Sequence, residues 1–139
     1  MMAGSILGSI DFQSKALELQ AERGRVLASN IANADTPNYK ARDFSFQQAL
    51  AAATAQSGAQ LTSTLQVART HAAHLSGPNA ATGGPPLLYR APLQSAVDGN
   101  TVDLDVERAN FAENSVRYEA TLRFLNSQIK EMMTAINGQ

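Results

Sequence analysis

A chain of 139 residues has room for one domain and too little for two full ones. Hydrophobic residues reach 44%, but aromatics are only 6%, tryptophan is absent, and much of the remainder is alanine, which favours helix yet buries little area. A net charge of −1 argues against nucleic acid or an anionic membrane as an electrostatic partner, and the absence of cysteine removes disulfides, thiolate chemistry and Cys-based zinc sites.

The start, Met1 to Asp11, lacks a basic n-region and carries only a broken apolar run at Ile6, Leu7 and Ile10. It does not read as a Sec signal peptide, and no stretch approaches the roughly 20 apolar residues of a membrane span. Such a start suits a cytoplasmic protein, and equally one exported by a route that leaves no cleaved signal.

From about Ser9 to Asn33, Ile10, Leu17, Ala21, Gly24, Ala28 and Ile31 recur at spacings of seven, four and three, with Leu27 beside them. The spacing predicts a helix over 9–33 with one face in register. Ser9 is placed to cap it, and Asp11 with Lys15 forms a favourable i,i+4 pair. Gly24 costs about 1 kcal/mol relative to alanine in a helix interior. Small residues on that face predict that another helix packs close there.

Asn30 and Asn33 end this helix, and Asp35, Thr36 and Pro37 stop it, because proline cannot continue the hydrogen-bond ladder and pushes Thr36 out of the helical region. Thr36-Pro37-Asn38-Tyr39 then reads as a tight turn. Asn38 at the third position is the usual substitute for glycine where a type II turn needs positive φ.

Beyond it, 34–103 reads as an irregular middle. Ser45 with Gln48 makes a capping-box start for a short alanine-rich helix, Phe46 to about Gln56, closed by Gly58. His71 and His74 stand three apart, but two imidazoles without a third ligand do not make a metal site. Gly83 and Gly84 precede prolines rather than a helix, and no nucleophile elbow occurs. From Ser76 to Thr101 the chain is rich in Gly, Pro, Ala, Ser and Asn, and no regular core is expected. Leu87, Leu88 and Tyr89 form its one apolar island, suited to docking on a neighbour.

The last segment has the clearest period. Phe111, Ser115, Tyr118, Leu122, Leu125, Ile129, Met132 and Ile136 alternate spacings of four and three without a break, a sustained heptad seam. Asp103 and Asp105 favour a helix start, and Glu113–Arg117 and Glu119–Arg123 are well-oriented i,i+4 pairs. A helix over 104–136 would run roughly 45–50 Å.

The predicted fold is mostly α, a single subunit over 1–139. Long N- and C-terminal helices pair as a coiled coil, beside an irregular Gly/Pro-rich middle and a short third helix. The expected assembly seam is Leu17, Leu27 and Ile31 on one helix with Tyr118, Leu122, Leu125, Ile129, Met132 and Ile136 on the other.

The stretch ASNIANADTPNYKARDFSF, Ala28 to Phe46, resembles the N-terminal signature of the flagellar rod and hook axial protein family, a helix ending in an asparagine-rich run followed by Thr-Pro-Gly-Tyr. Asn30, Asn33, Thr36, Pro37 and Tyr39 match it, while Asn38 departs from its glycine. Ala41 to Phe44, Leu87 to Arg90 and the run DGNTVDLDVERANFAENS, Asp98 to Ser115, narrow the resemblance to the proximal rod proteins. It implies a non-enzymatic subunit of the basal-body rod in the periplasm, exported without a cleaved signal peptide and needing no cofactor. The implied partners are other rod subunits, the membrane-embedded ring and its adaptor, the flagellar export apparatus and further copies of itself, with no nucleic acid or small-molecule substrate. From other classes, the alternatives are a cytoplasmic coiled-coil adaptor and, least supported, a metal-dependent hydrolase using His71 and His74.

Overall fold

The computed structural model describes residues 2–58, 84–92 and 96–138, so His71, His74 and much of the Gly/Pro-rich stretch lie outside the described residues. In chain order the elements are α1 (Met2–Ala32), β1 (Arg42–Asp43), α2 (Phe46–Gly58), β2 (Leu88–Tyr89) and α3 (Leu104–Asn137). The molecule is mostly helical, with the two long terminal helices packed together.

α1 starts at Met2 rather than at Ser9. Two glycines make the first turns weak locally, but Ile6 and Ile10 are half-buried there, and packing overrides propensity. Ser9 is a tie rather than a cap, since its hydroxyl accepts from Gln128 Nε2 at 2.6 Å.

The side chain of Asp103 caps α3, accepting from the N–H groups of Asp105 and Val106 at 3.2 and 3.3 Å. Asp105 and Glu107 add negative charge in the first turn, and Gly138 ends the helix at a left-handed φ of 69°. The start of α2 is fixed by Ser45 Oγ, which accepts from Gln48 N at 3.4 Å.

α1 and α3 run antiparallel. Their cross-ties step down one helix as they climb the other, from Asn30–Glu107 through Gln20–Asn114 to Ser9–Gln128. This ordering corrects the expected pairing by one row. Tyr118, Leu125 and Met132 form a half-buried row, as the heptads require. The second row against α1 is Glu107, Asn114, Thr121 and Gln128, spaced by sevens. Leu122 and Ile136 stand outside it, 36% and 75% exposed, and Ile129 is half-buried. On α1, Leu17 and Ile31 are half-buried and Leu27 is fully buried, with Gln20 and Asn30 enclosed beside it. An apolar pattern cannot find this face, because hydrogen-bonded amides and a carboxylate occupy half of it.

α2 lies on α1 through a small core of Val26, Phe44 and Ala49, with Leu19 against it. Where no regular structure was expected, β1 and β2 pair antiparallel, Arg42 opposite Tyr89 and Asp43 opposite Leu88. So short a ladder leaves no alternating pattern in the sequence, and its existence depends on the contacts described below.

At Gly24 a Cβ would lie 3.3 Å from Asn114 Nδ2, whereas at Gly8 nothing lies within 4 Å. Gly8→Ala should therefore stabilise the protein by about 0.5–1 kcal/mol through helix propensity alone. Gly24→Ala should gain less or lose, because the new methyl presses on the Asn114–Gln20 tie. Thermal unfolding of both variants checks this, and equal gains would show that the helices are not in close contact at Gly24.

Candidate functional site

The two segments that carry the family resemblance, 60 to 70 residues apart in sequence, meet at one end of the helix pair. The meeting begins with the carbonyls that α1 leaves unpaired at its C-terminus. Thr36 N–H donates to Asn33 O at 3.1 Å and Tyr39 N–H to Thr36 O at 3.3 Å, closing successive turns. Asn38 sits between them at φ 60°, the left-handed conformation that the departure from glycine left open. Asn33 Nδ2 donates back to Ser29 O at 2.8 Å, and its Oδ1 accepts from the Thr36 hydroxyl at 3.1 Å. Pro37 is exposed and acts through its backbone.

Asn100 completes this end from the other segment. Its side-chain amide lies within 2.8–3.0 Å of three carbonyls, those of Asn33, Ala34 and Thr36. The backbones are then zipped together. Asn38 N–H donates to Asp98 O at 2.9 Å, Thr101 N–H to Tyr39 O at 3.0 Å, and Ala41 N–H to the Thr101 hydroxyl at 2.8 Å. Gly99 makes the approach possible. Its φ is +73°, and a Cβ there would stand 2.6 Å from Asn38 Oδ1.

One level down, Asn30 is fully buried and makes four hydrogen bonds. Its Oδ1 accepts from the Tyr39 hydroxyl at 3.2 Å and from Arg42 N–H at 3.1 Å. Its Nδ2 donates to Arg42 O at 2.7 Å and to Glu107 Oε2 at 3.0 Å. The amide thus pairs with both backbone groups of Arg42 as a third strand would, closing one edge of the two-stranded ladder.

Two arginines and two carboxylates surround this amide. Arg23 grips Asp43 with Nε and Nη2, both at 3.1 Å, a bidentate pair. Arg90 spans Asp43 and Glu107, donating to Asp43 Oδ2 at 2.6 Å and to Glu107 Oε1 through its other terminal nitrogen. Glu107 is 1% exposed, so its charge is held entirely by Arg90 and Asn30.

Burial pushes the Asp43 carboxyl up, but hydrogen bonds from Arg23 and Phe44 N–H, the Arg23 charge and the bond from Arg90 together hold it below the usual carboxylate range. The Arg23 guanidinium is raised, chiefly by its hydrogen bond to Asp43.

Chemically this is a closed clasp. Every acid in it faces a guanidinium or an amide, and among the described residues no three His, Cys, Asp or Glu side chains gather to hold a metal. Of the motif residues, Asn30, Asn33, Thr36 and Tyr39 converge here, whereas Tyr118, Leu122, Leu125, Ile129, Met132 and Ile136 lie further along α3. Arg23, Asp43, Arg90, Asn100 and Glu107 were not singled out from the sequence as partners. Only their membership of the runs ARDF, LLYR and DGNTVDLDVE marked four of them.

Asn30→Ala would strand a buried carboxylate oxygen and the Arg42 backbone groups, an expected loss of about 3 kcal/mol in denaturant unfolding. Gly99→Ala should cost about 1–3 kcal/mol from strain at positive φ and the clash with Asn38. Either variant unfolding like the parent would mean that the clasp does not hold the helix ends.

The pH dependence has a definite sign. Because its folded-state pKa is depressed, Asp43 contributes stability that is present above the ordinary Asp value of 3.8 and lost as pH falls through the lower folded value. The Arg23 guanidinium, raised by its bond to Asp43, stays charged through neutral and acidic pH and does not enter this window. Denaturation midpoints should fall between about pH 5 and about pH 3, and Asp43→Asn should flatten that slope. An unchanged slope would count against the pairing.

The chain matches the family model described as flagella basal body rod protein over residues 10–40, which spans most of α1 and the turn. It is 43% identical over 135 residues to the flagellar basal body rod protein FlgB of Proteus mirabilis strain HI4320, covering 97% of this chain and 98% of that one. The protein of the same name from Yersinia enterocolitica is 44% identical over 138 residues, again covering 97% and 98%. That of Escherichia coli K12 is 42% identical over 137 residues, covering 99% of each chain. A clasp built from the family signature, and likeness of this degree from end to end, lead to one assignment: the chain belongs to the flagellar basal body rod protein family.

Proposed function

We propose that the chain is a structural, non-enzymatic subunit of the proximal rod, built into the basal body through helix–helix interfaces that help to transmit torque. The observation that carries this is the apolar surface left on α3 once α1 is in place. Leu122, Met133 and Ile136 stand exposed along one flank of a helix of 34 residues whose other face is already engaged, and Phe124 is exposed on the opposite flank. A long helix with a second apolar row has room for a second helical partner.

The names of the relatives, flagellar basal body rod protein, support neighbouring rod subunits as those partners. Beyond them the reading extends to further copies of this chain, the membrane-embedded ring with its adaptor, and the export apparatus that would deliver the chain to the periplasmic rod without a cleaved signal peptide. Torque on such a rod reaches each subunit as shear between its helices. Polar ties at fixed heights oppose that shear better than a smooth apolar seam, because sliding by one turn would leave buried amides unpaired.

The candidate seam divides into two tests. Leu122 is exposed on the subunit, so Leu122→Asp should leave its helix content intact and yet prevent rod assembly. Leu125 is half-buried in the row facing α1, so Leu125→Asp should lose assembly and destabilise the subunit by about 2 kcal/mol or more. Arg123→Gln breaks an exposed pair with Glu119 worth about 0.2–0.5 kcal/mol and should swim normally. Circular dichroism, motility assays and electron microscopy of basal bodies read the three together. Normal rods in both aspartate variants would sink the assignment of the seam.

A further inference from the structure

Residues 84–92 cross the outside of the clasp as a strap, and they are held there in an unusual way. Their apolar side chains are poorly buried and leave much of the hold to polar groups. Leu87, Leu88 and Tyr89 are all exposed, Tyr89 at 72%. What remains is the short ladder to β1, one backbone bond from Arg90 N–H to Ala41 O at 2.9 Å, a surface contact of the Arg42 guanidinium 5.8 Å from the Tyr89 ring centre, and the Arg90 side chain. Among these polar contacts of the described residues, only the last reaches past β1. It joins Asp43 of β1 to Glu107 on α3, so one guanidinium ties the strap both to its ladder partner and to the helix beyond it.

The strap also forms one wall of an apolar groove of about 560 Å³. Pro85, Pro86 and Leu88 face Leu19, Phe44 and Ala49 across it. The opposite wall belongs to α1 and α2 and would stay where it is if the strap left. The ties between α1 and α3 at Asn30, Asn114 and Gln128 likewise involve no strap residue.

We propose that Arg90 is an ion latch, and that residues 84–92 form a strap that opens on this latch while α1 and α3 stay paired, uncovering the Leu19–Phe44–Ala49 groove and the β1 edge. The chemistry supports a latch rather than a permanent rivet. An apolar strap would be held by burial, which salt does not loosen. This one is held by charge-assisted bonds from a guanidinium whose side chain is still 27% exposed, within reach of water and ions. Arginine is required because its planar fork offers two terminal nitrogens to two carboxylates at once, where a lysine ammonium presents a single point. The inference concerns the subunit alone and stands whether or not the rod reading does.

Amide hydrogen exchange on the full chain tests it. The single change Arg90→Gln would leave Glu107 buried and charged with one partner, so the informative variant is Arg90→Gln/Glu107→Gln, which removes both charges and keeps an acceptor for Asn30. Exchange at the Arg90 N–H, which bonds Ala41 O, should then accelerate by roughly ten- to a hundredfold, the loss of one or two charge-assisted bonds, while the Arg42 N–H held by Asn30 and the α1 and α3 amides stay protected. Arg90→Lys should fall between the variant and the parent, and raising salt on the parent should accelerate the strap amides alone. Unchanged strap exchange in the double variant would overturn the latch. Loss of helix protection together with strap protection would overturn its independence.

Discussion

Asn30 is a carboxamide sealed at the meeting point of three chain segments, and the geometry of the rest follows from satisfying it. An amide buried without partners would cost several hydrogen bonds' worth of stability. Here both of its atoms are used twice, on the Tyr39 hydroxyl, the two backbone groups of Arg42 and the carboxylate of Glu107. Each of those partners fixes something larger. Tyr39 sets the turn that leaves α1, Arg42 sets β1, and Glu107 sets where α3 begins. Glu107 in turn needs a cation because it is fully enclosed, and Arg90 supplies it while also meeting Asp43.

The helix pair departs from an ordinary coiled coil in what it places inside. Half of the α3 face turned to α1 is polar, and the ties at Gln20–Asn114 and Ser9–Gln128 continue the pattern begun at the clasp. Such a seam is weaker per unit area than one built from leucine, but it admits a single register, since a slip would unpair several buried amides together. The leucine, phenylalanine and methionine side chains that could have strengthened it lie on the outside instead. Placed there, they are available to neighbours, which is consistent with a chain that contributes little to its own core.

The strap and the short α2 belong to a less committed layer. A small cluster of Val26, Phe44 and Ala49 seats α2, and ion pairs and a brief ladder seat the strap. The bonding of the subunit is therefore graded, densest at the clasp and along the polar seam and sparser toward the outside.

Sequence alone determined the features whose causes are local. Pro37 had to stop α1, the charges of Asp103 and Asp105 had to favour the start of α3, Ser45 with Gln48 had to start α2, and the sevens in α3 had to make a long helix. In each case the responsible atoms lie within a turn of the residue that reveals them. The family signature also marked Asn30, Asn33, Thr36 and Tyr39, without saying what they touch. Only the tertiary structure decided that Asn100 would close the end of α1, that Arg90 would bridge Asp43 and Glu107, that Leu88 and Tyr89 would pair with Arg42 and Asp43, and that Asn114 and Gln128 rather than Leu122 and Ile136 would face α1. Hydrophobic periodicity reports where apolar side chains recur, and it reads a buried amide as a surface residue. The partners that make such an amide worth burying stand far along the chain, 77 residues away for Asn30 and Glu107, and only the folded chain brings them into reach.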